Sequence, residues 1–179
     1  MVGVERDFEA LYALHAGAVR GYAMRRCDPE TADDVVADVF LVAWRRRADL
    51  PKEPLPWLLG IARHVLANHA RGQSRRVRLH DRLAAEPVMV ATPAHAGGRE
   101  SARLRAALAS LSERDRELLL LMAWEGLELR QAAEVLGLRP NTLAVRFHRA
   151  RRRLSAALEA HEADDGSERA PIAHVEVSR

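Results

Sequence analysis

The stretch RQAAEVLGLRPNTLAVRFHRARRRL, residues 130–154, decides how this chain is read. From Arg139 onward it carries six arginines and no acidic residue. A solvated surface mixes signs to limit self-repulsion, so charge of one sign asks for a partner of the other. Stepping about 100° per residue from Leu143 puts Leu143, Phe147, Ala150 and Leu154 on one narrow apolar stripe. Asn141, Val145, His148, Arg149 and Arg152 fall on the opposite side. Upstream, Leu129, Ala132, Ala133 and Leu136 supply a short packing helix. Gly137 sits where a left-handed residue is needed to turn, and Pro140 opens the second helix. Helix, glycine turn and helix at this spacing form the helix-turn-helix signature, whose second helix enters the major groove of duplex DNA. Arg149 can bond bidentately to a guanine edge, and Asn141 suits adenine or a phosphate. Arg139, Arg151, Arg152 and Arg153 suit phosphates, which position a domain without reading sequence. Arg146, at the border of the stripe, leaves two readings open: an ion pair with Glu134 or a contact to DNA.

The bulk composition frames this reading. Of 179 residues, 48% are hydrophobic and 30% charged, which is the composition of a folded soluble protein. The net charge of +3 is no polycation, so the local clustering of arginine matters more than the sum. Ala, Leu, Arg and Glu abound while β-branched and aromatic residues are few, and the fold class expected is all-α. A single cysteine, Cys27, leaves no partner for an internal disulfide, and a reducing compartment is allowed. Glu5, Arg6, Asp7 and Glu9 stand where a signal peptide needs an apolar run, and no segment approaches the ~18 apolar residues of a membrane span. A cytoplasmic location without membrane insertion is expected.

Periodicity then divides the chain. Phe8, Leu11, Tyr12, His15, Val19 and Tyr22 recur at three- and four-residue steps and predict a helix over residues 5–26. Asp28 followed by Pro29 reads as an N-cap with proline at the first helical position, opening a second helix to about Arg47. Prolines punctuate residues 50–56, which are expected to be a loop. A third helix starts near Trp57, with Leu58, Ile61, Ala62, Val65 and His69 on its apolar face. Residues 84–99, AAEPVMVATPAHAGGR, have no helical period and read as a flexible linker. Leu104, Ala107, Leu108 and Leu111 begin a second helical block, and Ser112 with Asp115 reads as a capping box. Past Ala160 the tail turns polar and aperiodic, so disorder is expected there. The organisation is two small helical domains joined by a flexible linker: residues 1–83, the linker 84–99, a helix-turn-helix domain 100–160 and a tail 161–179.

The second helix raises a separate question. In TADDVVADVFLVAWRRR, residues 31–47, Val36, Val39, Phe40, Ala43 and Trp44 form a core stripe. Val35, Leu41 and Val42 point elsewhere, beside Asp34 and Asp38 one turn apart. A helix apolar nearly all round is buried or covered by a partner, and two carboxylates on the second face make plain burial costly. A docking face for a basic helix fits both facts.

Three matches in order identify a family. ADDVVADVFLVAW resembles a pattern of paired acids, a further acid, Phe and a terminal Trp. WLLGIARHVLANHAR resembles a Trp-Leu-x-x-Ile-Ala-Arg-Asn helix. LSERDRELLLLMAWEGLELRQAAEVLGLRPNTLAVRFHRARRRL is similar to a region-four helix-turn-helix over its full length. Together they resemble the bacterial RNA polymerase sigma factors of the extracytoplasmic-function (ECF) type, over residues 5–80 for region two and 100–158 for region four. The resemblance implies that the chain binds core RNA polymerase and promoter DNA and directs transcription initiation. It implies that Asp34, Val35, Asp38, Leu41 and Val42 lie against a coiled coil of the polymerase. The 50–56 loop and Trp57, Arg63, His64, Asn68, Arg71, Arg75 and Arg76 would take the single-stranded element near the start site. Arg139, Asn141, Thr142, Ala144, Val145, His148, Arg149 and Arg152 would face the upstream duplex element. It also implies an anti-sigma partner, which no residue identifies; no cofactor or metal is expected from the residues.

The chain departs from the family pattern in places. His64 replaces the usual Asn, Asn68 stands where Asp is common, Ala37 replaces a frequent Gln, and Ala144 and Val145 lack side chains that hydrogen-bond DNA. Enzymatic activity is not expected: the eight histidines are scattered, Cys27 has no catalytic neighbour, and His64 and His69 are five apart and share no metal-binding face. The rival reading is a regulator that binds duplex DNA without polymerase, which leaves the acidic-apolar second helix unemployed. A protein–protein adaptor would leave the arginine face unexplained.

Overall fold

The computed structural model describes residues 2–80 and 99–167, with side chains described for residues 7–72 and 101–161. The described residues are all-α: α1 (Val2–Met24), α2 (Pro29–Arg45), α3 (Pro54–His80), α4 (Arg99–Ser110), α5 (Glu113–Ala123), α6 (Leu129–Leu136) and α7 (Pro140–Ser167), with one 3-10 turn at Arg47–Asp49. The linker expected at 84–99 lies, save for Arg99, outside the described residues.

Local chemistry sets the helix ends. Asp28 caps α2: its carboxylate accepts from the Thr31 backbone N–H at 2.9 Å and from the Thr31 hydroxyl at 2.7 Å. These bonds favour the charged form, the backbone N–H first, and hold the Asp28 pKa below its ordinary value. Ser112 caps α5 by accepting from the Asp115 N–H at 3.2 Å. The expected box does not close, because the Asp115 carboxylate takes the Arg153 guanidinium at 2.6 Å instead. Gly137 adopts φ +64°, and Leu138 N–H returns to the Ala133 carbonyl at 2.9 Å, closing α6 in a left-handed turn.

Two boundaries differ from expectation. Helix α3 begins at Pro54, inside the stretch read as loop. Pro54 and Pro56 occupy its first turn, where backbone N–H groups have no intrahelical acceptor and proline costs nothing. Helix α7 runs on to Ser167, past Ala160 where order was expected to end; residues 168–179 lie outside the described residues.

The larger difference is in the packing. One apolar cluster runs through both halves: Val19, Tyr22, Val35, Val39, Leu58, Leu59 and Ala62 share it with Leu118, Leu121, Leu127, Ala132, Val135 and Leu143. A smaller cluster of Leu108, Leu111, Leu119 and Ala150 holds α4, α5 and α7 together. The halves meet where α3 lies on α6, and a Cβ built on Gly60 would stand 4.0 Å from the Val135 Cα.

A charged seam closes the same contact beside α1. The Tyr22 hydroxyl donates to Glu117 Oε1 at 2.7 Å, and Arg26 Nε donates to Glu117 Oε2 at 2.8 Å. Arg25 grips Glu125 with both Nε, at 3.1 Å, and Nη2. The Glu125 side chain is only 5% exposed, so this is a desolvated pair and not a surface one. Burial first, then Glu117, raises the Tyr22 pKa, and the phenol stays protonated as a donor. Burial alone would lower the Arg26 pKa; Tyr22, Glu117 and Glu125 outweigh it and the net shift is upward.

Candidate nucleic-acid interface and docking face

Helix α7 carries the basic face. Leu143 and Ala150 are fully buried, and Phe147 is half-buried against both clusters. This anchors the back of the helix and fixes what the front shows. Asn141, Thr142, Ala144, His148, Arg149 and Arg152 are exposed, and Val145 is 52% exposed. Arg139, just before the helix, is exposed as well. All eight residues expected at the upstream element therefore share an open surface. Two neighbouring arginines are otherwise engaged: Arg153 pairs with Asp115, and Arg151 stands 5.8 Å over the Phe147 ring. Among the described residues no ion pair joins Arg146 to Glu134, and both are exposed, so the structural reading of Arg146 is not supported.

Such a surface can lie along a duplex. Asn141 and Arg149 carry hydrogen-bonding groups suited to base edges, beside the small Ala144 and the branched Val145. The guanidinium groups around them are suited to phosphates, contacts of a kind that makes affinity depend steeply on salt.

Helix α2 carries the second face. Asp34, Asp38 and Leu41 are exposed, Leu41 by 46%, and Val42 is half-buried. Val35 corrects the expectation: it is fully buried, on the core side with Val36 and Val39. A stripe that also holds Ala32 and Ala43 turns Val35 inward, leaving the docking face narrower and more acidic than the sequence suggests. Asp38 has a partner that sequence reasoning missed, His69 of α3, with Nε2 3.0 Å from Oδ2. The two residues are 31 apart and joined only by the packing of α2 on α3.

The residues expected at the single-stranded element lie on α3. Arg63, His64, Asn68 and Arg71 are exposed, and the Arg71 guanidinium donates to Asn68 Oδ1 at 2.6 Å. Trp57 is half-buried against the shared cluster, with the Arg46 guanidinium 5.6 Å from its ring. The side chains of Arg75 and Arg76 lie outside the described residues. The loop before α3 is tied down, because Glu53 accepts from Gln131 of α6 at 2.9 Å. Among the described residues, no group of three His, Cys, Asp or Glu side chains could hold a metal, and no helix is long and apolar enough to cross a membrane.

Comparisons with known proteins agree with this layout. Residues 11–76 match the family model of sigma-70 region 2, and residues 101–154 match that of sigma-70 region 4. The chain is 35% identical to the RNA polymerase sigma factor CnrH of Cupriavidus metallidurans, over 88% of this chain and 90% of that protein. It is 36% identical to the ECF RNA polymerase sigma factor SigC of Mycobacterium tuberculosis, over 89% and 97%. Among solved structures, it is similar to the sigma factor RpoE of Bartonella quintana in complex with the anti-sigma factor NepR. The TM-score there is 0.68 at 28% identity, over 86% of this chain and 98% of the other. The helix-turn-helix with its open basic face, the acidic face on α2 and these matches lead to one statement: the chain belongs to the RNA polymerase sigma factors of the extracytoplasmic-function type.

Proposed function

We propose that this chain docks on core RNA polymerase and directs it to promoters, reading the upstream element with α7 and the start-proximal element with α3 and the loop before it. One observation carries the reading: a single chain displays both a one-sided basic face backed by Leu143 and Ala150 and a separate acidic face on α2. A regulator that needed only duplex DNA would have no use for the second. Asp34, Asp38 and Leu41 supply the polymerase contact, with Val42 at its edge. Asn141 and Arg149 read base edges, and Arg139 and Arg152 meet phosphates. Arg63, His64, Asn68 and Arg71 track the displaced strand, cationic groups on its backbone and the loop on an unstacked base. An anti-sigma partner belongs to the reading, supported by the Bartonella relative having been solved with one.

The test is a titration of labelled full-length protein with core RNA polymerase, followed by anisotropy, with duplex DNA titrated in parallel at stated salt. Saturable binding to core, lost in Asp38→Arg while duplex binding persists, is the expected result. Duplex binding without affinity for core would mean a regulator that acts alone.

A further inference from the structure

We infer, resting on the function proposed above, that His69 is a positioning residue for polymerase docking: from α3 it holds the Asp38 carboxylate of α2 in the orientation that the partner meets. The sequence of α3 puts it there. Leu58, Ala62, Val65 and His69 recur at three- and four-residue steps, and the first three are buried. His69 ends that stripe, so packing fixes its backbone while the ring emerges at the rim, 29% exposed. On α2, Asp34, Asp38 and Leu41 share the exposed face at four- and three-residue steps. A rotation of about 100° per residue sets Asp38 at the edge of that face where Val42 and Val35 turn inward. It is at this edge that His69 arrives.

The geometry leaves the carboxylate both held and available. His69 Nε2 lies 3.0 Å from Asp38 Oδ2, and a carboxylate only accepts, so Nε2 carries the hydrogen and donates it. Among the described residues Oδ1 takes no hydrogen bond, and the Asp38 side chain is 52% exposed, which leaves the second oxygen to a basic group of the partner. Asp34, one turn earlier, is exposed and bonded to none of the described side chains. The two acids of the docking face are therefore unlike, since only one is held. Ordering a free side chain at an interface costs affinity, and Asp38 has given up that freedom before the partner arrives. A fixed cation at position 69 would also hold the oxygen, but it would cancel the charge that a basic helix seeks. An imidazole can hold it through a hydrogen bond alone.

The experiment titrates core RNA polymerase into labelled full-length protein by anisotropy, with helix content and melting temperature read by circular dichroism. His69→Leu keeps the bulk and loses the donor, and it should weaken core binding about three- to tenfold, the scale of one interface side chain left to be ordered on binding. His69→Gln carries an amide N–H at the reach of Nε2 and should return affinity to within about twofold of wild type, whereas the shorter His69→Asn should not. In an Asp38→Ala background His69→Leu should change nothing further, while in Asp34→Ala it should keep its full effect. A histidine that only supports the fold gives the opposite pattern: an equal loss in every background, tracking the melting temperature, with no rescue by Gln. That pattern overturns the inference, and so does wild-type affinity in His69→Leu; in both cases the sigma-factor reading stands. If His69→Leu loses helix content, Gln and Asn compared in the two acid backgrounds carry the same test. If Asp38→Ala binds core as wild type does, or if wild type binds no core at all, the docking assignment of α2 falls and the inference falls with it.

Discussion

Replacing Leu143 with alanine tests whether the two halves fold as one. Leu143 is fully buried in the first turn of α7, in the cluster that also contains Val19, Val39 and Leu58 of the N-terminal half. Leu143→Ala removes three carbons, about 2.4 kcal/mol at ~0.8 kcal/mol per buried methylene. The cavity left behind raises the total to about 3 kcal/mol, within the usual range for buried leucines. With a urea dependence of ~2 kcal/mol per molar, the unfolding midpoint should fall by about 1.5 M at constant slope. The tryptophans report the halves separately: Trp44 and Trp57 on one side, Trp124 on the other. Fluorescence of Trp124→Phe, which retains the two N-terminal probes, should move by the same amount as far-ultraviolet circular dichroism. A substitution in the helix-turn-helix would then unfold helices in the other half. An N-terminal transition that stayed in place while the C-terminal one shifted would refute the shared core, and the chain would be two independent domains.

Three further outcomes follow from the geometry. Arg149→Ala should cost about 1–3 kcal/mol at a preferred upstream site, measured by anisotropy against matched and scrambled duplexes, and an equal loss on all sequences would make Arg149 a phosphate contact. Asp28→Ala should lower the melting temperature by a few degrees at pH 7 through loss of the α2 cap. Because the folded Asp28 pKa is depressed, its stabilisation is present above the unfolded carboxylate value of about 3.9 and fades as pH falls through the folded one; the gap between variant and wild type should close in acid, and a gap independent of pH would contradict a charged cap. The Cys27 thiol, pushed up to about 11 by burial and then by Asp28, should alkylate slowly with iodoacetamide at pH 8. Its thiolate fraction is about a hundredfold below that of an exposed thiol there, and a rate matching free cysteine would show that the thiol is not shielded.

Much of this molecule is written in local patterns, and those were legible. Asp28-Pro29, Ser112 and Gly137 are signals that act within three or four residues, and each marks the helix end it was read to mark. The stripe of Leu143, Phe147 and Ala150 is set by helical period alone, so the face it leaves exposed follows without knowing what it packs on. Where local signals compete, they point the wrong way. Pro54 and Pro56 look like breakers, yet proline is at home in a first turn. Val35 lies beside Asp34 in the sequence, and only the packing of α2 on two neighbours turns it in.

The seam was illegible for a different reason. Arg25 and Arg26 meet acids 91 to 100 residues away, and no periodicity spans such a distance. Taken singly, each resembles the solvated charge that ends many helices. A weak signal was nonetheless present. Val19, Tyr22, Ala23 and Arg26 continue one stripe at three- and four-residue steps, and a cation on the buried face of a helix must find an anion or remain costly. Glu117 precedes the run of four leucines from Leu118 to Leu121, and Glu125 follows it, so both acids flank an apolar surface in need of cover.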